Sequence, residues 1–146
     1  MEAVAELSLD TLVAYLERLG ITYDLEVIGT TPIIRSGWKF DVGSAALVIA
    51  LSESSHETTR LEITCSSRQR YPDRIDELQA LLNARNRERA FARSVDDDGF
   101  VYLEYVGFYP TGCPFPQHVF EVVFGGVLLQ FEEDYMTIEA GRLGEN

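Results

Sequence analysis

Thr59-Arg60-Leu61-Glu62-Ile63-Thr64-Cys65-Ser66 alternates apolar and polar side chains. In an extended chain Leu61, Ile63 and Cys65 fall on one side and Arg60, Glu62, Thr64 and Ser66 on the other. That period of two marks an antiparallel strand with one face on a core and one in water. Just upstream, Ala45 to Leu51 is apolar at every position, the pattern expected of a central strand covered on both faces. The polar stretch Ser52–Glu57 between them reads as a hairpin loop. Downstream, Phe91–Val95 and Phe100–Phe108 flank Asp96-Asp97-Asp98-Gly99, a strong turn signal, and form a second hairpin. Its longer arm is unusual. Phe100, Tyr102, Val106 and Phe108 lie on one face, Val101, Leu103, Tyr105 and Tyr109 on the other, and only Glu104 interrupts.

Helices frame these strands. Leu9, Leu12, Val13, Leu16 and Leu19 share one helical face, with Ser8 placed as N-cap and Gly20 just past the end. Pro72 opens a second helix with the stripe Ile75, Leu78, Leu81, Leu82 and Arg85. A long third helix is expected from near Pro116 to about residue 138, with apolar residues over far more than one stripe. Gly125-Gly126 in its middle implies either a bend or a close approach by another part of the chain. Ile21–Ile28 alternates loosely and Gly29-Thr30-Thr31-Pro32 breaks it. Residues 33–41 read as a short strand or an extended loop. The expectation is an α+β fold: an antiparallel sheet of about five strands with three helices, as one domain over residues 1–146. An acidic tail covers about residues 137–146.

Composition agrees with a single globular unit: 146 residues, 46% hydrophobic and 25% charged. No apolar run approaches the ~20 residues of a membrane span. The acidic N-terminus does not resemble a signal peptide, and two cysteines cannot build a disulfide framework. A cytoplasmic, non-membrane protein is expected. Its formal net charge is −12, unevenly spread: −6 over residues 1–67, +3 over 68–95 and −9 over 96–146. Such a balance disfavours direct binding of nucleic acid and favours basic proteins. Eleven of the twelve cations are arginine. The cluster Arg85, Arg87, Arg89 and Arg93 has no interleaved aromatic platform, so it is expected to pair with acidic regions within the chain or across a dimer.

The residues offer little chemistry. There is no Gly-rich phosphate loop, and the only histidines, His56 and His118, cannot make a three-histidine zinc site. Cys113 has His118 five residues on, yet nothing in the sequence supplies a third, orienting group. Asp96-Asp97-Asp98 lacks the spacing of a calcium loop, and Glu132-Glu133-Asp134 reads as a solvated helix face. No catalytic residue, metal ligand or cofactor is assigned. What stands out is surplus apolar surface on the 100–109 strand and the third helix, which a partner or second subunit would cover.

Several segments resemble the YbjN-like family, described as bacterial sensory or regulatory proteins. The resemblance runs from Leu16-Glu17-Arg18-Leu19-Gly20-Ile21 through Leu61-Glu62-Ile63. It is strongest across Tyr71-Pro72-Asp73-Arg74-Ile75-Asp76-Glu77-Leu78 and Leu81-Leu82-Asn83-Ala84-Arg85-Asn86, then the Asp98-Gly99 turn, and spans about residues 9–135. It implies a fold similar to type III secretion chaperones, ordered helix–three strands–helix–two strands–helix. Such proteins generally form homodimers and hold partner proteins without catalysis. Asn83 and Asn86 match the family's Leu-Asn-x-x-Asn pattern and read as helix-end hydrogen bonders.

The functional expectation is therefore a non-enzymatic, chaperone-like adaptor: a homodimer holding a basic protein, of which a DNA-binding protein is one class. Dimer contact is expected from Leu78, Leu82, Phe100, Tyr102, Val106 and Phe108, and partner contact from Leu12, Leu16, Trp38 and Phe40. The alternative is a sensory module that binds a small ligand in a closed apolar pocket.

Overall fold

The computed structural model describes residues 5–55 and 57–143. Helix α1 (Leu9–Arg18) starts where the Ser8 hydroxyl accepts the Thr11 N–H at 3.1 Å, and Gly20, at φ +72°, turns the chain out of it. Four strands follow: β1 (Tyr23–Ile28), β2 (Thr31–Phe40), β3 (Gly43–Ser55) and β4 (Thr58–Arg70). A 3₁₀ turn at Pro72–Arg74 leads into α2 (Ile75–Glu88). Strands β5 (Ala92–Val95) and β6 (Phe100–Pro110) and the long helix α3 (Gln117–Leu143) complete the chain. The α+β class and the alternation of helices with groups of strands are as expected.

All pairings are antiparallel, in the order β1-β2-β3-β4-β6-β5. The sheet has six strands rather than about five, with four before α2 rather than three. The extra one comes from the weakest sequence signal. Residues 31–40 pair with both neighbours, and Pro32 is accommodated at the very start of β2, where a missing N–H matters least. β3 and β4 each run to 13 residues, so most of the expected 52–57 loop is strand. His56 lies outside the described residues.

The three helices share one side of the sheet. Leu12, Tyr15 and Leu16 of α1, Leu78 and Leu82 of α2, and Phe120, Phe124, Val127, Phe131, Tyr135 and Ile138 of α3 pack against Leu47, Ile49, Leu61, Ile63, Cys65, Val101 and Leu103. Between β6 and α3, Phe115 plugs the core. Its N–H bonds the Ala5 carbonyl at 2.8 Å and its own carbonyl accepts the Tyr15 hydroxyl at 2.5 Å. This gives the Gly112–Pro116 segment its role as a strap under α1.

Two expectations need correction here. Ala45–Leu51 is not covered on both faces: Ala45, Leu47 and Ile49 are buried, while Ala46, Val48 and Ala50 are half-buried by sheet neighbours alone. Small side chains are shielded by adjacent strands without any second layer. The triplet Glu132-Glu133-Asp134 is not wholly solvated either, since Asp134 is buried. It binds Arg93 (Nε to Oδ2, 2.6 Å) and Arg85, and so ties α2, β5 and α3 together. α3 runs unbroken through Gly125-Gly126. A Cβ at Gly126 would lie 3.6 Å from the Phe91 ring, whereas one at Gly125 would meet nothing within 4 Å.

Candidate functional site

The side of the sheet away from the helices is bare among the described residues, and the register shows what it carries. One row crosses all six strands: Asp24, Arg35, Val48, Thr64, Glu104 and Ala92. The next holds Glu26, Ile33, Ala50, Glu62 and Val106, and beyond it Ser52, Arg60 and Phe108 align. On the other flank lie Gly37, Ala46, Ser66, Tyr102 and Ser94. The centre is thus small and mildly apolar, and Phe108 (59% exposed) and Val106 (38%) stand at its rim. On this helix-free face the exposed Phe108 and Val106 of β6 stand across Arg60, Glu62 and Thr64 of β4 from Ala46, Val48 and Ala50 of β3, apolar anchors set among charges and suited to protein contact.

Charge on this face differs from the whole. Arg35, Lys39, Arg60, Arg68 and Arg70 offset Asp24, Glu26, Glu62 and Glu104, so this face does not share the acidic excess of the chain as a whole. Arg35 pairs with Glu26, and Arg60 with Glu62 at 2.6 Å. Glu62 and Glu104, diagonal neighbours on β4 and β6, are placed to share a hydrogen bond whenever one of the two carboxyls carries a proton. That bond, with help from Arg60 and against partial burial, holds Glu62 below the usual carboxylate range. The same bond raises Glu104, and burial and the Glu62 charge add to the shift.

The expected dimer residues do not form one surface. Leu78 and Leu82 are buried in the helix-side core, while Phe100, Tyr102, Val106 and Phe108 line the opposite, bare face. Leu12, Leu16 and Phe40, expected to touch a partner, are core residues as well. Their apolar spacing on α1 and β2 serves the fold. Trp38 alone of that set reaches solvent (36% exposed), with its ring edge-on to Phe124 at 6.1 Å. It borders an open groove of about 580 Å³ between the α1–β1 turn and β2, with Tyr23, Asp24, Arg35 and Arg68. Sequence reasoning did not find this groove, because its walls come from segments distant along the chain.

The remaining candidates have structural explanations. Asp96 accepts the Asp98 and Phe100 N–H groups and the Tyr102 hydroxyl; burial opposes its charge, yet these bonds together hold its pKa down. Asn86 bonds both backbone groups of Arg93 at 2.8 and 3.0 Å, the helix-end role read from sequence, while Asn83 is exposed. Arg85 and Arg93 turn inward to Asp134; Arg87 and Arg89 face solvent. Cys113 and His118 are both exposed, and no hydrogen bond joins them. Cys65 is buried, which pushes its thiol pKa strongly up. Among the described residues no three metal-ligating side chains gather, and no helix is long and apolar enough to cross a membrane.

The architecture is that of a two-layer α+β domain with helices on one side and a bare, charge-balanced sheet face on the other. The chain belongs to the YbjN family, described as "Putative bacterial sensory transduction regulator", which matches residues 8–109. Among solved structures it is similar to "YbjN, a putative transcription regulator from E. coli", at TM-score 0.62 and 17% identity, covering 96% of this chain and 97% of that one. At that identity the likeness is one of fold. No curated protein sequence matches. The family match contains the segments from Leu16 to Gly99 that carry the resemblance, but it stops at Tyr109, before α3 and short of the expected reach to about residue 135.

Proposed function

We propose that this YbjN-family protein is a regulatory adaptor that acts by holding a partner protein, without catalysis, and that it works as a homodimer. The observation that carries the reading is the helix-free sheet face, with Phe108 and Val106 exposed on β6 and Ala46, Val48 and Ala50 on β3, one strand away. Burying such side chains is worth roughly 1.5–3 kcal/mol each, enough to anchor a partner. The net charge of −12 favours a basic partner, such as a DNA-binding protein. The field of the whole molecule steers the encounter, and the balanced face accepts an apolar segment without a strong charge penalty.

The test pairs wild type with Phe108→Glu. A basic protein retained by wild type should associate more slowly as salt rises, and should bind Phe108→Glu at least about tenfold more weakly. Equal retention by the two proteins would rule out the sheet face. The second reading, a small-ligand sensor, draws on the groove beside Trp38, Arg35 and Arg68. It requires a metabolite that raises the thermal midpoint of wild type but not of Trp38→Ala.

A further inference from the structure

The outer side of α3 breaks the rule that a solvent-facing helix stripe is polar. Val122 (72% exposed), Leu129 (55%) and Met136 (51%) stand on it, seven residues apart. Two heptads of a straight helix drift by only ~40°, so the three side chains form one stripe about 21 Å long. Gly125 lies between the first two and is exposed, and the fold itself gives no reason for a glycine there, since an added Cβ would meet nothing within 4 Å. A mid-helix glycine costs about 1 kcal/mol against alanine. Both features lie on the helix that is apolar around most of its circumference and that the family match does not reach.

The stripe is symmetric about its centre. A two-fold axis at Leu129, with two α3 helices antiparallel, sets Leu129 on its own copy and Val122 against Met136 of the second copy. The same operation sets Glu133 opposite Gly125, Glu132 opposite Gly126 and Glu121 opposite Thr137, so no carboxylate meets another. A parallel pair would superpose each of these acids on itself, an unfavourable arrangement in a chain of net charge −12. We propose that the outer stripe of α3, centred on Leu129, is where a second copy of this chain docks, antiparallel, to make the homodimer. This rests on the reading that the protein works through protein contacts. It places the self-contact on the opposite side of the molecule from the sheet face, which stays free for the partner.

Sedimentation equilibrium of the full chain tests it. Wild type is expected to be dimeric, and Leu129→Lys, which brings two cations together on the axis, to raise the dimer dissociation constant roughly a hundredfold with an unchanged circular dichroism spectrum. Phe108→Glu is expected to stay dimeric while losing the partner, so the two claims fail separately. A monomeric wild type, or a dimer that survives Leu129→Lys, would overturn the proposal. Orientation is read by oxidation in a Cys113→Ser background, which removes the exposed native thiol. Leu129→Cys should cross-link efficiently and Val122→Cys should not; cross-linking of Val122→Cys would overturn the antiparallel arrangement.

Discussion

Asp134 shows how much one residue can organise. Among the described residues it is the only carboxylate that directly meets both Arg85 and Arg93, and Arg93 spends its other donors on Gln130 and the carbonyls of Ala90 and Phe91. Removing the anion leaves buried guanidinium charge uncompensated, so Asp134→Asn should cost about 3–5 kcal/mol in chemical denaturation. A loss below about 1 kcal/mol would mean that water reaches the cluster. Gly99 is a second fixed point. Its φ is +89°, and a Cβ would lie 2.5 Å from the Tyr71 backbone carbon, where neither side can yield. Gly99→Ala should therefore destabilise by about 2 kcal/mol or more, far beyond an ordinary surface change. The turn at Gly99 was legible because Asp-Gly is a local signal. The role of Asp134 was not, because Glu132-Glu133-Asp134 reads as three equal acids, and only the rotation of α3 against Arg93 turns one of them inward.

At the scale of elements, the diagonal pair on β4 and β6 makes the sheet sensitive to pH. Glu104 binds its proton more tightly in the fold than in the unfolded chain, so its contribution is present at low pH and is lost as pH rises through its raised pKa. Glu62 has the opposite sign: its contribution is present above the ordinary glutamate range and is lost as pH falls through its lowered value. Between the two, the pair holds one proton. Glu104→Gln, which keeps a donor without titrating, should abolish the fall of stability with rising pH while leaving the loss at low pH. An unchanged profile would show that the two carboxylates do not share a proton. In α3, Gly125→Ala should stabilise the protein by up to about 1 kcal/mol, measured in the Leu129→Lys background to keep association out of the result. β4 was visible because its alternation is clean, and β6 because a strong turn signal precedes a run of aromatic and β-branched residues. β2 was ambiguous because Gly37, Pro32 and mixed polarity blur a strand whose identity comes from its two neighbours. β3 misled differently, since alanine and valine are apolar whether or not a helix covers them.

Across the whole molecule, charge and greasiness are segregated. The bare sheet face is close to charge-balanced, and uncovered large apolar side chains stand on β6 of that face, along the outer side of α3, and on the edge strand β1 (Leu25, Val27 and Ile28). Composition alone announced the surplus, because more large apolar residues stood on β6 and α3 than one core needs. It could not say which would be exposed. Leu12, Leu16, Leu78, Leu82 and Phe40 carry the same residue types as Phe108 and Leu129, and only the packing of three helices on one side of the sheet sorts them. The central claim is that a partner protein occupies the sheet face. Covalent side-chain footprinting, with and without the basic protein that wild type retains, tests it most directly. The account predicts that Tyr102, Val106 and Phe108 become protected in the complex while Trp38 keeps its free reactivity; a bound partner that leaves Phe108 as reactive as in the free protein would contradict it.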